Sequence, residues 1–139
     1  MQSEGEDCKI VSSEPKPEFP DGLHVLAVDD DIVCLKLLCA MLTKCRYKVT
    51  MAKKAAEALK MLREKKDEFD IVITEVHMVD MDGFELLEII GREMDIPVIM
   101  ISANDDKNMV MKGIKYGARD YLIKPVRLAV VSNIWRHVF

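Results

Sequence analysis

Little in this sequence invites a membrane, a disulfide framework or a nucleic-acid groove. Its four cysteines, Cys8, Cys34, Cys39 and Cys45, form no CxxC pair and no Cys/His set at zinc spacing. That usage argues for reduced thiols in an intracellular protein, with the last three as ordinary helix residues. The longest apolar run, residues 96–103, falls far short of the roughly 20 residues that cross a bilayer, and the N-terminus has no basic-plus-apolar signal pattern. Basic excess is also missing. Twenty lysines and arginines stand against 24 acids, a formal charge of -4, so no direct nucleic-acid binding is expected.

What is present is 139 residues, half of them apolar, enough for one self-sufficient core but no second domain. Residues 1–22 are rich in Ser, Glu, Pro and Lys. With few large apolar side chains they do not offset their ordering entropy and are expected to be disordered. The folded domain is expected over residues 23–139. There, LHVLAV is followed by DDDIVCLKLLCAMLTKC, in which Ile32, Leu35, Leu38, Met41 and Leu42 recur at helical spacing. The alternation continues with YKVTMA and AAEALKMLREKK, IVIT and DGFELLEIIGRE, IPVIMIS and DDKNMVMKGIKYGA, and DYLI and VRLAVVSNIWRHVF. Apolar strands without polar alternation, separated by helices, predict an α/β fold: a three-layer, doubly wound parallel sheet of five β/α pairs.

In such sheets ligands bind beyond the carboxyl ends of the strands, at the switch in strand order. The first exit carries Asp29-Asp30-Asp31 at the start of a helix. Asp31 is explained as a helix cap. The crowded Asp29-Asp30 pair points to a hard divalent cation such as Mg²⁺, which takes oxygen ligands and relieves like-charge repulsion. The third exit gives Thr74-Glu75-Val76-His77, the fourth Ser102-Ala103 and the fifth Lys124-Pro125. Singly, Glu75 reads as a solvent-exposed strand end, Ser102 as a cap and Lys124 as a surface charge. Their joint placement after successive strands makes a site.

These motifs, with the Met78-x-Asp80-Met81-Asp82-Gly83 turn, resemble the receiver domain of two-component response regulators over residues 23–139. The stretches DGLHVLAVDDD, MKGIKYGARDYLIKPVR and SNIWRHVF look most like plant B-type response regulators and plant pseudo-response regulators. The resemblance implies a flavodoxin-like (βα)5 fold with strand order 2-1-3-4-5. It implies weak Mg²⁺ binding by Asp29, Asp30, Glu75 and the backbone carbonyl of His77. It makes Ser102, Lys124 and Tyr121 the remnants of a phosphoryl site: hydroxyl, cation and rotamer switch. It also implies phosphorelay signalling, a role in transcription regulation, nuclear or cytoplasmic location, and other receiver domains or histidine-containing phosphotransfer proteins as partners. Homo- or heterodimers are implied through the face of the fourth helix, fifth strand and fifth helix.

Two departures bear on function. Glu75 stands where the family places its phosphoacceptor aspartate, and its carboxylate sits about 1.5 Å farther from the backbone. In-line phosphoryl transfer depends on placing nucleophile and metal within fractions of an ångström, so the chain is expected to be a non-enzymatic interaction module and at best a partial mimic of the charged state. The alternative is a weakly phosphorylatable, Mg²⁺-dependent phosphoacceptor. Val79 replaces the family's usual proline, which predicts a less restrained loop.

A haloacid-dehalogenase-like phosphatase would explain Asp29-Asp30-Asp31-Ile32-Val33 but needs another acidic motif after its lysine, and residues 125–139 contain no Asp or Glu. Asp80 and Asp82 read as turn and helix-start residues. The ten methionines read as core filler, and Trp135, near Leu128, Val131, Ile134 and Val138 in helical register, as a packing residue. No residues beyond that helix are expected to encode a DNA-binding output domain.

Overall fold

The computed structural model describes residues 22–138. The segment expected to be disordered, residues 1–22, lies outside them apart from Gly22, and so does Phe139. Five strands, β1 (His24–Val28), β2 (Lys48–Ala52), β3 (Ile71–Glu75), β4 (Val98–Ser102) and β5 (Asp120–Ile123), alternate with helices α1 (Ile32–Lys44), α2 (Ala55–Lys65), α3 (Gly83–Glu93), α4 (Lys107–Lys115) and α5 (Leu128–Val131). All strand pairs are parallel, in the order β2-β1-β3-β4-β5. This is the doubly wound arrangement expected from the sequence.

Period-two alternation, with helices covering both faces, explains why the middles of the inner strands are apolar. Val25 and Ala27 of β1 join one core cluster with Leu35, Leu38 and Leu42 of α1 and Val131 of α5. Leu26 and Val28 join the opposite cluster, with Leu59 and Leu62 of α2 and Leu86 and Ile90 of α3. Each fully buried leucine contributes about 1.5–3 kcal/mol, so both faces hold the sheet. Aspartates start three helices. Asp31 accepts from the Val33 and Cys34 amides, Asp82 from Glu85 and Asp106 from Asn108, each satisfying donors that the first turn leaves free.

The last helix departs from expectation. Instead of one helix over residues 126–139, α5 makes a single turn, followed by a 3-10 turn at Ile134–His137. The Ser132 hydroxyl and the Asn133 side-chain amide both donate to the Ala129 carbonyl, at 2.8 and 3.1 Å. They compete there with the main-chain bond that a continuing helix would make. Packing survives the break: Val131 and Ile134 are buried, and Trp135 and Val138 lie against the same cluster.

Tyr47 locks this segment to the core. Its ring is buried and its hydroxyl donates to the Ser132 carbonyl at 3.1 Å. Burial, with a smaller push from Cys45, drives its pKa up to about 12. The ordinary tyrosine value is about 10. A group raised on folding adds stability that is complete below its unfolded pKa and is lost as pH rises through the folded one. Ultraviolet titration should therefore show a tyrosine ionising near pH 12 that disappears in Tyr47→Phe. Ionisation of Tyr47 in the ordinary range would contradict this placement.

Candidate functional site

Strands β1 and β3 lie side by side while their helices leave toward opposite faces, so the exits of β1, β3, β4 and β5 open into one cleft. Its floor is charged yet withdrawn from water: Asp29 is 2% exposed, Glu75 6% and Ser102 1%. The readings of Glu75 as an exposed strand end and Lys124 as a free surface charge therefore fail. The Lys124 ammonium sits 2.9 Å from Asp29 Oδ2 and 2.5 Å from Glu75 Oε1. Glu75 Oε2 accepts from the amides of Val76 and His77, at 2.9 and 3.0 Å. Asp29 Oδ1 accepts from the Asp31 amide at 2.9 Å.

Both oxygens of both buried carboxylates thus have partners, which is what permits such charge in a dry floor. Burial pushes the Asp29 carboxyl up, against the downward pull of the Asp31 amide and Lys124. Burial opposes the charge of Lys124, but hydrogen bonds and attraction from Glu75 and Asp29 prevail and hold its ammonium more tightly protonated than usual.

Asp30 points elsewhere. Its Oδ2 accepts from the Val79 amide at 3.0 Å, joining the β1–α1 loop to the β3–α3 loop. A proline at position 79 would have no N–H to give, so the valine that removes one restraint supplies another. The sequence assigns Asp80 to a turn. Its carboxylate in fact caps α2, accepting from Ala55 and Ala56 at 3.2 and 3.0 Å. Gly83 is fixed by contact: a Cβ there would meet the Glu75 carbonyl at 2.5 Å and the Val76 Cα at 2.9 Å. The glycine lets α3 start directly against the end of β3.

Ser102 and Tyr121 line up with each other through Asn104 rather than with Glu75. Ser102 Oγ accepts from the Asn104 amide at 3.1 Å, and the Tyr121 hydroxyl, its ring turned inward, donates to the Asn104 carbonyl at 3.0 Å. Asn104 does not stand out in the sequence. Its only signal was a polar residue two places after Ser102.

The model of the response regulator receiver domain family matches residues 25–135, and the chain belongs to that family. It is therefore a receiver domain of two-component signalling. Over 123 residues, 88% of its length, it is 60% identical to the two-component response regulator ORR24 of Oryza sativa subsp. japonica, and over 121 residues, 87%, it is 57% identical to ARR10 of Arabidopsis thaliana. It spans 20% and 22% of those two proteins, about a fifth of each. Among solved structures, the receiver domain protein from Clostridium thermocellum superposes with a TM-score of 0.77 at 26% identity, covering 84% of this chain and 93% of that one. Chemotaxis protein CheY4 of Vibrio cholerae superposes with a TM-score of 0.74 at 27% identity, covering 85% and 99%. Among the described residues no helix is long and apolar enough to cross a membrane.

Receiver domains typically bind Mg²⁺. The carboxylates here have the right chemistry for a hard cation, but as they stand other partners hold them. The Lys124 ammonium holds Asp29 and Glu75, and Asp30 is drawn to Val79. Among the described residues no group of three or more His, Cys, Asp or Glu side chains is placed to hold a metal.

Proposed function

We propose that this chain is a pseudo-receiver: a non-enzymatic domain that signals by binding and does not accept phosphate. One observation carries the reading. The Glu75 carboxylate, in the phosphoacceptor position, is engaged at both oxygens by Lys124 and two backbone amides. A nucleophile must present a free lone pair in line with the phosphorus, and this carboxylate, buried in the cleft floor, has three of its roughly four acceptor sites taken. Its ion pair with Lys124 places one negative charge where a phosphoryl group would place nearly two. Binding of Mg²⁺ by Asp29, Asp30, Glu75 and the His77 carbonyl is weak, because a cation must first displace Lys124. Ser102 and Tyr121 remain as the coupling pair, linked through Asn104 to the start of the fourth-helix segment.

The working surface in this reading is α4, β5 and α5. It exposes Met111 and Ile114 on α4, Ile123 on β5, and Leu128 and Val130 on α5, among Lys107, Lys112, Lys115 and Arg127. An apolar centre with a charged rim suits pairing with another receiver domain, including those of the B-type regulators that the sequence resembles. Through such pairing the domain would modulate transcription regulators in the nucleus. Exposed Val33 and Leu37 on α1 favour a second contact, with histidine-containing phosphotransfer proteins.

The test is association with a B-type receiver. Arg119 holds the His137 carbonyl and Asp120 lies by the His137 ring, so reversing either disturbs the fold. Met111→Asp and Lys115→Glu avoid those contacts. Together they should weaken heterodimers at least ~10-fold, as expected for a desolvated anchor plus a rim charge. Unchanged association, or none in the unmutated chain at tens of micromolar, would leave the α1 contact as the surviving model.

A further inference from the structure

The side chain of Val79 is 95% exposed and sits in the loop between β3 and α3. A solvent-facing valine contributes nothing by packing, so what this residue gives the structure is its main chain. Its amide is bonded across 49 residues to Asp30 Oδ2 at 3.0 Å. Asp30 is itself exposed, and neighbouring Asp29 is already committed to Lys124 and the Asp31 amide. Lys124 leaves two acids at this edge unheld: Asp31, which caps α1, and Asp30, one oxygen of which the Val79 N–H occupies.

We propose that the Val79 amide is a clasp that closes the acidic edge to divalent cations by holding Asp30 against the β3–α3 loop. A small cation that needs near-octahedral oxygen ligands must break or distort this bond, in addition to displacing Lys124. The loop is pinned on its other side by Asp80 at the head of α2 and by the 2.7 Å bond from the Gly83 amide to the Val76 carbonyl. It cannot swing away to release Asp30 while keeping those contacts. The clasp rests on the proposed assignment of Asp30 to the weak Mg²⁺ site. Phosphate acceptance by Glu75 plays no part in it, so metal titration and phosphate labelling fail independently.

The test compares Val79→Pro, which removes the donor, with Val79→Ala, which keeps it. Amide NMR of the full chain during titration with MgCl2 reports binding through the shifts of Asp30, Asp31 and His77. Val79→Pro should bind at least ~10-fold more tightly than the unmutated chain, the scale of one hydrogen bond to a charged acceptor. Val79→Ala should bind like the unmutated chain. No tightening in a folded Val79→Pro, or equal tightening in Val79→Ala, overturns the clasp. If Val79→Pro fails to fold, hydrogen exchange decides: the Val79 amide should be protected in the unmutated chain and lose that protection in Asp30→Ala. Exchange unaltered by Asp30→Ala overturns it.

Discussion

Replacing Lys124 with alanine is expected to lower stability at neutral pH by about 3–5 kcal/mol, the range for removing one partner of a buried ion pair. The substitution leaves Asp29 and Glu75 facing each other across the space the ammonium filled, with side chains only 2% and 7% exposed. Their backbone donors remain, but three amides do not neutralise two charges. The loss should depend on pH in a definite direction. Burial already pushes the Asp29 carboxyl above its ordinary value, and without Lys124 it rises further. A carboxyl whose folded pKa exceeds its unfolded one favours folding below the unfolded pKa and withdraws that support as pH rises through the folded value. The deficit of Lys124→Ala should therefore be largest near pH 7 and shrink on acidification. Adding Glu75→Gln should recover part of it by removing one of the two charges. Urea denaturation at two pH values measures both effects. A loss below about 1 kcal/mol, typical of surface pairs, would mean the triad is not the buried network described here.

The fold was legible because its signals are local. Strands such as Val98–Ser102 are buried at every position and apolar up to the serine at the exit, as full coverage by helices requires, and Asp31, Asp82 and Asp106 mark the helix starts they cap. The family resemblance then supplied the strand order. The end of α5 was not legible, since Leu128, Val131, Ile134 and Val138 keep a helical period whether or not the backbone does. The interruption lies in Ser132 and Asn133 competing for one carbonyl.

At the site, the strand exits named residues that the structure brings into one cleft, but not their pairing. Nothing in the residue types says that Glu75 folds back on its own two following amides, or that Lys124 bridges two carboxylates instead of standing free. The roles of Asp80 and Val79 depend on contacts 24 and 49 residues away. Gly83 read as a turn glycine, whereas its importance is a 2.5 Å approach to the Glu75 carbonyl, a distance only the assembled sheet and helix create.

The central claim is that Glu75 takes no phosphate, and one exchange of a single methylene isolates it. Glu75→Asp shortens the side chain by about 1.5 Å. The carboxylate then retreats toward the floor of the cleft, loosening its bond to Lys124 and freeing an oxygen toward the opening, while Asp29, Asp30, Ser102 and Lys124 stay in place. Misplacement on the ångström scale alters such reactions by about 100-fold, so Glu75→Asp should accept phosphate at least that much faster than the unmutated chain. The decisive measurement is transfer of radiolabelled phosphate, in millimolar Mg²⁺, from a phosphorylated histidine phosphotransfer protein to the unmutated chain, Glu75→Asp and Glu75→Gln. The account predicts stable label on Glu75→Asp alone; label held by the unmutated chain and lost in Glu75→Gln would contradict it.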